Sequence, residues 1–208
     1  MRKELLMPLT GVAFIALLIL SFVVGGEPPD VEDPVQEIVD HYVDDKDSII
    51  AGAFISGLAA VVLVFFANHL RNVMRASATS ATILVGAGIV AVAAGIDATI
   101  SMSIAEAAED VDPTAVQALQ ALWDNDFIPF AIGLVVFVLS LGLSILQTGV
   151  LPKWLGWVAL AIGLIGVTPI GFFAFPLTGL LILVVSVMLA LRARRPAAAG
   201  GAPMGPPD

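Results

Sequence analysis

The residues best suited to chemistry form one acidic stretch, DPVQEIVDHYVDDKDS, at 33–48. Its carboxylates and the imidazole of His41 are all of a type that binds cations. The stretch has no glycine and no EF-hand spacing, which a calcium loop requires. On a helix its acids share one face, and apolar residues such as Ile38 and Tyr42 share the other. We therefore predict a short amphipathic helix over about 34–45, with solvated acids and no metal site.

Asp97 is the one acid inside a strongly apolar segment. A charge is costly to bury in lipid, so such a residue is a functional hypothesis by default. Asp97 falls near the end of its segment, and Ser101 follows one helical turn later. Two interpretations stay open. The carboxylate either bonds to neighbouring groups at the edge of a helix bundle, or it belongs to a proton, cation or ligand site.

Two further sets of residues recur at helical spacing. Ser140, Ser144 and Gln147 form a polar stripe that could line a pathway for a solute or ion. Small side chains let membrane helices approach closely, so packing is the alternative interpretation of such stripes. The predicted packing stripe consists of Gly156, Ala159, Gly163 and Gly166.

The elements that position these residues are predicted to be membrane-spanning helices. The chain is 59% hydrophobic and 13% charged, whereas soluble domains are about 25% charged. A span needs roughly 20 mostly apolar residues. Six segments fit this requirement, at about 8–24, 48–68, 81–104, 127–147, 154–173 and 176–191.

The two ends of the chain need separate interpretations. A secretory signal is the rival explanation for the first apolar run, but the run is slightly long and GGEPPD is a poor cleavage site. We predict a retained helix within one six-helix domain over 1–195. The rest, 196–208, is rich in Ala, Gly and Pro, and we predict a disordered cytoplasmic tail.

Charge sets the predicted orientation. Nine acids fall in 27–47 and six in 106–126, out of 18 in the chain. Lys and Arg favour the cytoplasmic side. Six spans with both termini cytoplasmic place eight of the nine basic residues inside and both acidic loops outside. Those eight are Arg2, Lys3, Arg71, Arg75, Lys153, Arg192, Arg194 and Arg195.

The two acidic loops look like copies of each other. Asp33-Pro34 precedes Asp47 by the same spacing as Asp112-Pro113 precedes Asp126. In each pair Asp suits a helix N-cap and Pro the first helical position. The second copy predicts another amphipathic helix over about 113–124. Spans one to four therefore resemble two tandem units, and 154–191 a shorter helical hairpin.

The chain lacks the residues that several functional classes require. The chain has no cysteine and only two histidines, which disfavours thiolate chemistry, disulfides and multi-histidine metal sites. The acidic loops would repel nucleic acid. No acid–base pair or metal cluster can be assembled within the spans. We expect no cofactor, no bound metal, no nucleic-acid partner and no enzymatic activity.

Five stretches carry a resemblance to a known group: GGEPPD, EIVDHYVDD, AGAFISGLAAVVLVFFANHLR, LPKWLGWVALAIG and TPIGFFAFPLTGLLILVVSVML. With them the chain resembles a group of small uncharacterised membrane proteins common in actinobacteria. The resemblance covers most of residues 8–192. It implies a six-helix membrane domain of unknown function and assigns no catalytic or binding residue.

The fold expected from these patterns is all-α: six membrane helices, arranged as repeated hairpins, plus two short extracytoplasmic amphipathic helices. We expect a multi-pass protein of the cell membrane, in contact with the lipid bilayer. The first functional hypothesis is a structural or partner-binding protein, which binds another protein or a second copy of itself. The alternative is a small-solute or ion transporter or channel that uses Asp97 and the bundle interior.

Overall fold

The computed structural model describes residues 2–194, with side chains from Leu6 onward. Within that part every regular element is helical. The eight α-helices are α1 (Arg2–Gly25), α2 (Val35–Asp44), α3 (Lys46–Val73), α4 (Ser80–Ala107), α5 (Pro113–Asp124), α6 (Phe127–Thr148), α7 (Lys153–Gly166) and α8 (Ala174–Arg194). The predicted tail, 196–208, lies outside the described residues.

The long helices account for the apolar composition. Five helical segments are long and apolar enough to cross a membrane, and they contain α1, α3, α4, α6 and α8. The sixth predicted span corresponds to α7, which has only 14 residues. An all-helical fold of the membrane-protein type is thus confirmed, with five helices rather than six of full spanning length.

The predicted fifth span, 154–173, was too long, because α7 ends at Gly166. Pro169 has no backbone N–H and disfavours helical geometry at Thr168 before it. The chain turns there, and Thr168 N donates to Ile165 O at 2.9 Å. A short 3-10 turn over Gly171–Phe173 then leads directly into α8.

The six long and medium helices pack in a defined order. α1 lies against α3 and α8, α3 against α4, α4 against α6, and α6 against α7. Apolar side chains from all of them form one core, which includes Phe14, Phe66, Leu141, Leu155 and Val185. Burial of this apolar face against neighbouring helices specifies the bundle.

The bundle has two chemically different ends. We call the end formed by 27–47 and 106–126 the acidic end, and the opposite end, with Arg71, Lys153 and Arg192, the basic end. The predicted amphipathic helices appear as α2 and α5, which pack on each other across the acidic end. Their apolar faces form a second, smaller core. It contains Ile38, Val39, Tyr42, Ile49, Ile104, Ala105, Ala108 and Val116.

The two copies start their short helices differently. Asp112 caps α5, and its carboxylate accepts a 2.9 Å hydrogen bond from Thr114 N. Hydrogen bonds from the Thr114 hydroxyl and from Thr114 N hold the pKa of Asp112 below its ordinary value. The same role predicted for Asp33 was wrong, since Pro34 occupies the N-cap of α2. The Asp33 carboxylate instead accepts from Asp30 N at 2.8 Å, which folds the preceding loop.

Candidate functional site

Most of the buried polar groups of the bundle fall into two clusters, one at each end. Ser21, Thr178 and Ser186 are also buried, but they lie outside these clusters on α1 and α8. The acidic-end cluster lies where α2 and α5 cover the last turns of α4. The basic-end cluster joins the loop between α3 and α4 to the end of α6.

Tyr42 and Gln120 form the centre of the acidic-end cluster. Their side chains are 2% and 0% exposed, and Tyr42 Oη donates to Gln120 Oε1 at 2.6 Å. Gln120 Nε2 in turn donates to Pro29 O and to Asp124 Oδ1, both at 2.9 Å. Each polar group of this pair is therefore satisfied, as buried polar groups must be. The network ties α2, α5 and the loop after α1 together.

Electrostatics place Asp97 beside this network. Burial raises the pKa of Tyr42 well above its ordinary value, and the charges of Asp124 and Asp97 raise it further. The Asp97 carboxylate is therefore close enough to the Tyr42 hydroxyl to raise its pKa, although Tyr42 lies on α2 and Asp97 on α4. The Tyr42 hydroxyl lies near these two carboxylates and therefore keeps its proton.

Asp97 also lies close to the indole of Trp123, but the two groups do not align into a hydrogen bond. Trp123 Nε1 and Asp126 Oδ2 are both buried without a partner. Ser101, predicted to accompany Asp97, donates to the Asp97 backbone carbonyl at 3.0 Å rather than to its carboxylate. The structure thus brings Asp97 together with Trp123 and the Tyr42 network, and turns Ser101 toward its own helix.

The acidic stretch itself lies on the outside of α2. Glu37, Asp40 and Asp44 are exposed, while His41 Nδ1 lies 3.3 Å from Asp45 Oδ2 in a surface pair. Within residues 2–194, no three His, Asp or Glu side chains converge to hold a metal ion. The exposed carboxylates on this face can bind a partner by charge.

Ser144 and Gln147 belong to the basic-end cluster. Ser144 Oγ lies 3.0 Å from both Ser77 Oγ and Thr79 Oγ1. Gln147 Oε1 accepts from Ser77 Oγ at 2.8 Å and from Ala78 N at 3.2 Å. These bonds anchor the turn between α3 and α4 onto α6. Ser144 and Gln147 of the predicted polar stripe therefore have a structural role.

Ser140 contributes to the same anchor through its backbone, because its carbonyl accepts from Thr79 Oγ1 at 3.3 Å. Sequence reasoning missed Ser77 and Thr79. The signal was the run ASATSAT at 76–82, where hydroxyl side chains follow directly after Arg75. Such a run at a helix connection is well suited to bond free backbone and side-chain groups.

The predicted packing stripe of α7 faces α6. A Cβ on Gly156 would lie 2.8 Å from Leu146 Cγ, and one on Gly166 would lie 2.7 Å from Val135 Cγ2. Gly163 meets Leu139 in the same way, and Ala159 is 0% exposed. The stripe therefore sets a close approach of the two helices.

A tighter contact between α4 and α6 was missed. A Cβ on Gly86 would lie 2.6 Å from Phe137 Cα, and one on Gly133 would lie 2.7 Å from Val90 N. These glycines let two backbones touch, as small residues commonly do between membrane helices.

The fold and its two polar clusters define a class: an all-helical protein of the membrane type, whose polar residues hold the ends of an apolar bundle. No protein-family model, curated protein sequence or solved structure matches this chain.

Proposed function

We propose that this chain is a structural or partner-binding membrane protein, and that its acidic end is the binding face. The observation that carries the proposal is the separation of its polar clusters. On α4, Ser80 and Asp97 are 17 residues apart, which is about 26 Å of helix. The buried positions between them are apolar or glycine: Ile83, Gly86, Ala87, Ala93 and Ala94. A polar pathway would need partners at these depths.

The proposed membrane placement follows the charges. The acidic end lies outside the cell membrane, and both termini lie in the cytoplasm, because Lys and Arg collect at the opposite end. All six helices of the bundle lie in the bilayer, and α7 is the short member. Kinship with the actinobacterial group stays a hypothesis that fits this arrangement.

Site-specific crosslinking in cells tests the binding face. A photo-reactive residue replaces Glu37, which is exposed on α2, or Ala118, which is exposed on α5. We expect a discrete covalent adduct from both positions, either with a second copy or with one other protein. Val92, 65% exposed on α4, is the matched lipid-facing control and should give none. Absence of a discrete adduct at both acidic-end positions would overturn the proposal.

A proton or cation pathway through Asp97 is the second candidate. One observation favours it: Asp97 lies beside Trp123, and Trp123 Nε1 and Asp126 Oδ2 are buried without partners. Unpaired buried polar groups are costly and often mark function. Flux through reconstituted vesicles separates this candidate from the first.

A further inference from the structure

The turn between α7 and α8 differs from the other connections on its side of the bundle. Both other connections carry many acids, but no Asp, Glu, Lys or Arg occurs from Trp154 to Leu191. The turn instead exposes large apolar side chains. Val167 is 67% exposed, Ile170 58%, Phe172 78% and Phe173 61%. Such a surface is unsuited to water.

The register of α7 against α6 shows that α7 ends below the level at which α6 begins. The end of α7, Gly166, lies opposite Val135 of α6. α6 continues eight residues further toward the acidic end, to Phe127. At 1.5 Å per residue this is about 12 Å. The helical part of α7 therefore stops well below the level at which α6 begins.

The register of α8 against α1 gives the same result independently. Gly179 of α8 lies beside Ile15 of α1. From that level α1 runs ten residues further to Gly25, whereas α8 runs only five residues to Ala174. The difference of five residues corresponds to about 7 Å. Both neighbouring helices, α1 and α6, therefore extend beyond the α-helical ends of the hairpin.

The backbone of the turn suits a medium without water. Val167 N donates to Leu164 O, Gly171 N to Thr168 O, and Phe173 N to Ile170 O. Pro169 has no N–H to satisfy, and Thr168 Oγ1 donates to Ile165 O at 2.6 Å. Backbone groups in hydrocarbon must find partners within the protein, and this turn supplies most of its own.

We infer that the α7–α8 turn does not reach the outer aqueous phase and is embedded among the acyl chains of the outer leaflet. The hairpin enters the bilayer from the basic end and reverses inside it. The space beside α6 is an apolar groove of about 360 Å³, and lipid chains fill it. Its lining residues are Ala131, Ile132, Val135, Val136, Gly166 and Val167.

Spin labelling in liposomes tests this inference. The chain has no cysteine, so Phe172→Cys carries a single nitroxide, and Ala76→Cys provides an exposed control in the turn between α3 and α4. We expect the Phe172 label to collide readily with oxygen, which concentrates in hydrocarbon, and weakly with a water-soluble nickel complex. The control label should show the opposite preference.

Nickel access at Phe172 equal to that at Ala76 would overturn the inference, because the turn would then lie in water. Protection of the Phe172 label from both reagents would also overturn it, since a second copy or another protein would then cover the turn. Ile170→Cys replaces Phe172→Cys if the latter does not fold. The inference rests on the membrane class, and the leaflet it names rests on the proposed orientation; it does not use the binding face, so its failure would leave the proposed binding face at the acidic end untouched.

Discussion

Tyr42 Oη donates a 2.6 Å hydrogen bond to Gln120 Oε1, and this contact joins the short helices α2 and α5 across 78 residues of sequence. When the two acidic segments are aligned on Asp33 and Asp112, Tyr42 corresponds to Ala121 and His41 to Gln120. The bond is therefore made by positions at which the two segments differ.

Replacement of Tyr42 by Phe removes the hydroxyl and leaves Gln120 Oε1 buried without a donor. A buried unsatisfied group costs about 1–3 kcal/mol. Because α2 and α5 form a core separate from the bundle core, we expect this cost to appear locally. Hydrogen exchange should accelerate in α2 and α5 and stay unchanged in α6 of the Tyr42→Phe protein.

Gln36→Ala is the matched control for that substitution. Gln36 lies on the same helix, but it is exposed, and its hydrogen bond to Asp40 lies at the surface. Exchange in this variant should resemble the wild type. Equal acceleration in both variants would show that the short helix depends on the surface hydrogen bond and not on the buried contact.

Titration of Tyr42 gives a prediction for high pH. Tyr42 is the one tyrosine of the chain, so the ultraviolet absorbance of tyrosinate reports it alone. Its pKa is raised by burial and by Asp124 and Asp97, whereas an exposed tyrosine titrates near 10. The folded protein should gain tyrosinate absorbance well above that pH, and the denatured protein close to it.

The raised pKa of Tyr42 also determines how the stability of α2 and α5 depends on pH. Above about pH 10 the unfolded state has lost the tyrosine proton and the folded state has kept it. The contribution of Tyr42 is therefore complete below that pH and declines as pH rises toward the folded pKa. Faster exchange in α2 above pH 10 is the expected result; titration at the same pH in folded and denatured protein would refute it.

The close contact between α4 and α6 predicts that one methyl group added at Gly86 lowers the stability of the protein. A Cβ on Gly86 would collide with the backbone of Phe137, and a clash with backbone cannot be relieved by a side-chain rotation. Overpacking of this kind costs about 1–3 kcal/mol. Gly86→Ala should lower the thermal midpoint in detergent.

Gly88→Ala is the control on the same helix, because nothing lies within 4 Å of its added Cβ. Its thermal midpoint should match or exceed that of the wild type. Equal midpoints for Gly86→Ala and the wild type would mean that α4 and α6 are further apart than described.

The basic-end anchor depends on Ser77, which is 5% exposed and bonds to Thr79, Ser144 and Gln147. Ser77→Ala should loosen the turn between α3 and α4, and amide exchange at Ala78 and Thr79 should accelerate. Ser103→Ala is a suitable control, since Ser103 is exposed and bonds only to Thr99 O in its own helix. Identical exchange in both variants would contradict the role given to the anchor.

Much of the fold was predictable because its signals are local. Apolar length and i, i+4 periodicity identified the long helices, and the same pattern placed α2 and α5 to within a residue or two. The end of α7 was harder to predict, because the apolar run continues past Pro169 through Phe172 and Phe173. Composition alone does not reveal that the helix stops before the hydrophobic segment does.

The candidate site was less predictable because its contacts join residues that are far apart in sequence and lie on different helices. Asp97 stood out as a charge in an apolar helix, yet nothing local connects it to Trp123, which follows 26 residues later on a different helix. The partnership of Tyr42 with Gln120 depends on how α2 and α5 lie against each other. The partners of Ser144 and Gln147 are Ser77 and Thr79. They lie in the loop between α3 and α4, and no helical periodicity in the sequence predicts where that loop packs.

Ion flux through proteoliposomes tests the central claim most directly, namely that the polar clusters hold the two ends of a closed apolar bundle. Proton and potassium flux would be measured for wild type, Asp97→Asn and the surface control Ser103→Ala. We expect all three to match protein-free vesicles. Flux above that level in wild type and Ser103→Ala, abolished in Asp97→Asn, would contradict the claim and establish a pathway through Asp97.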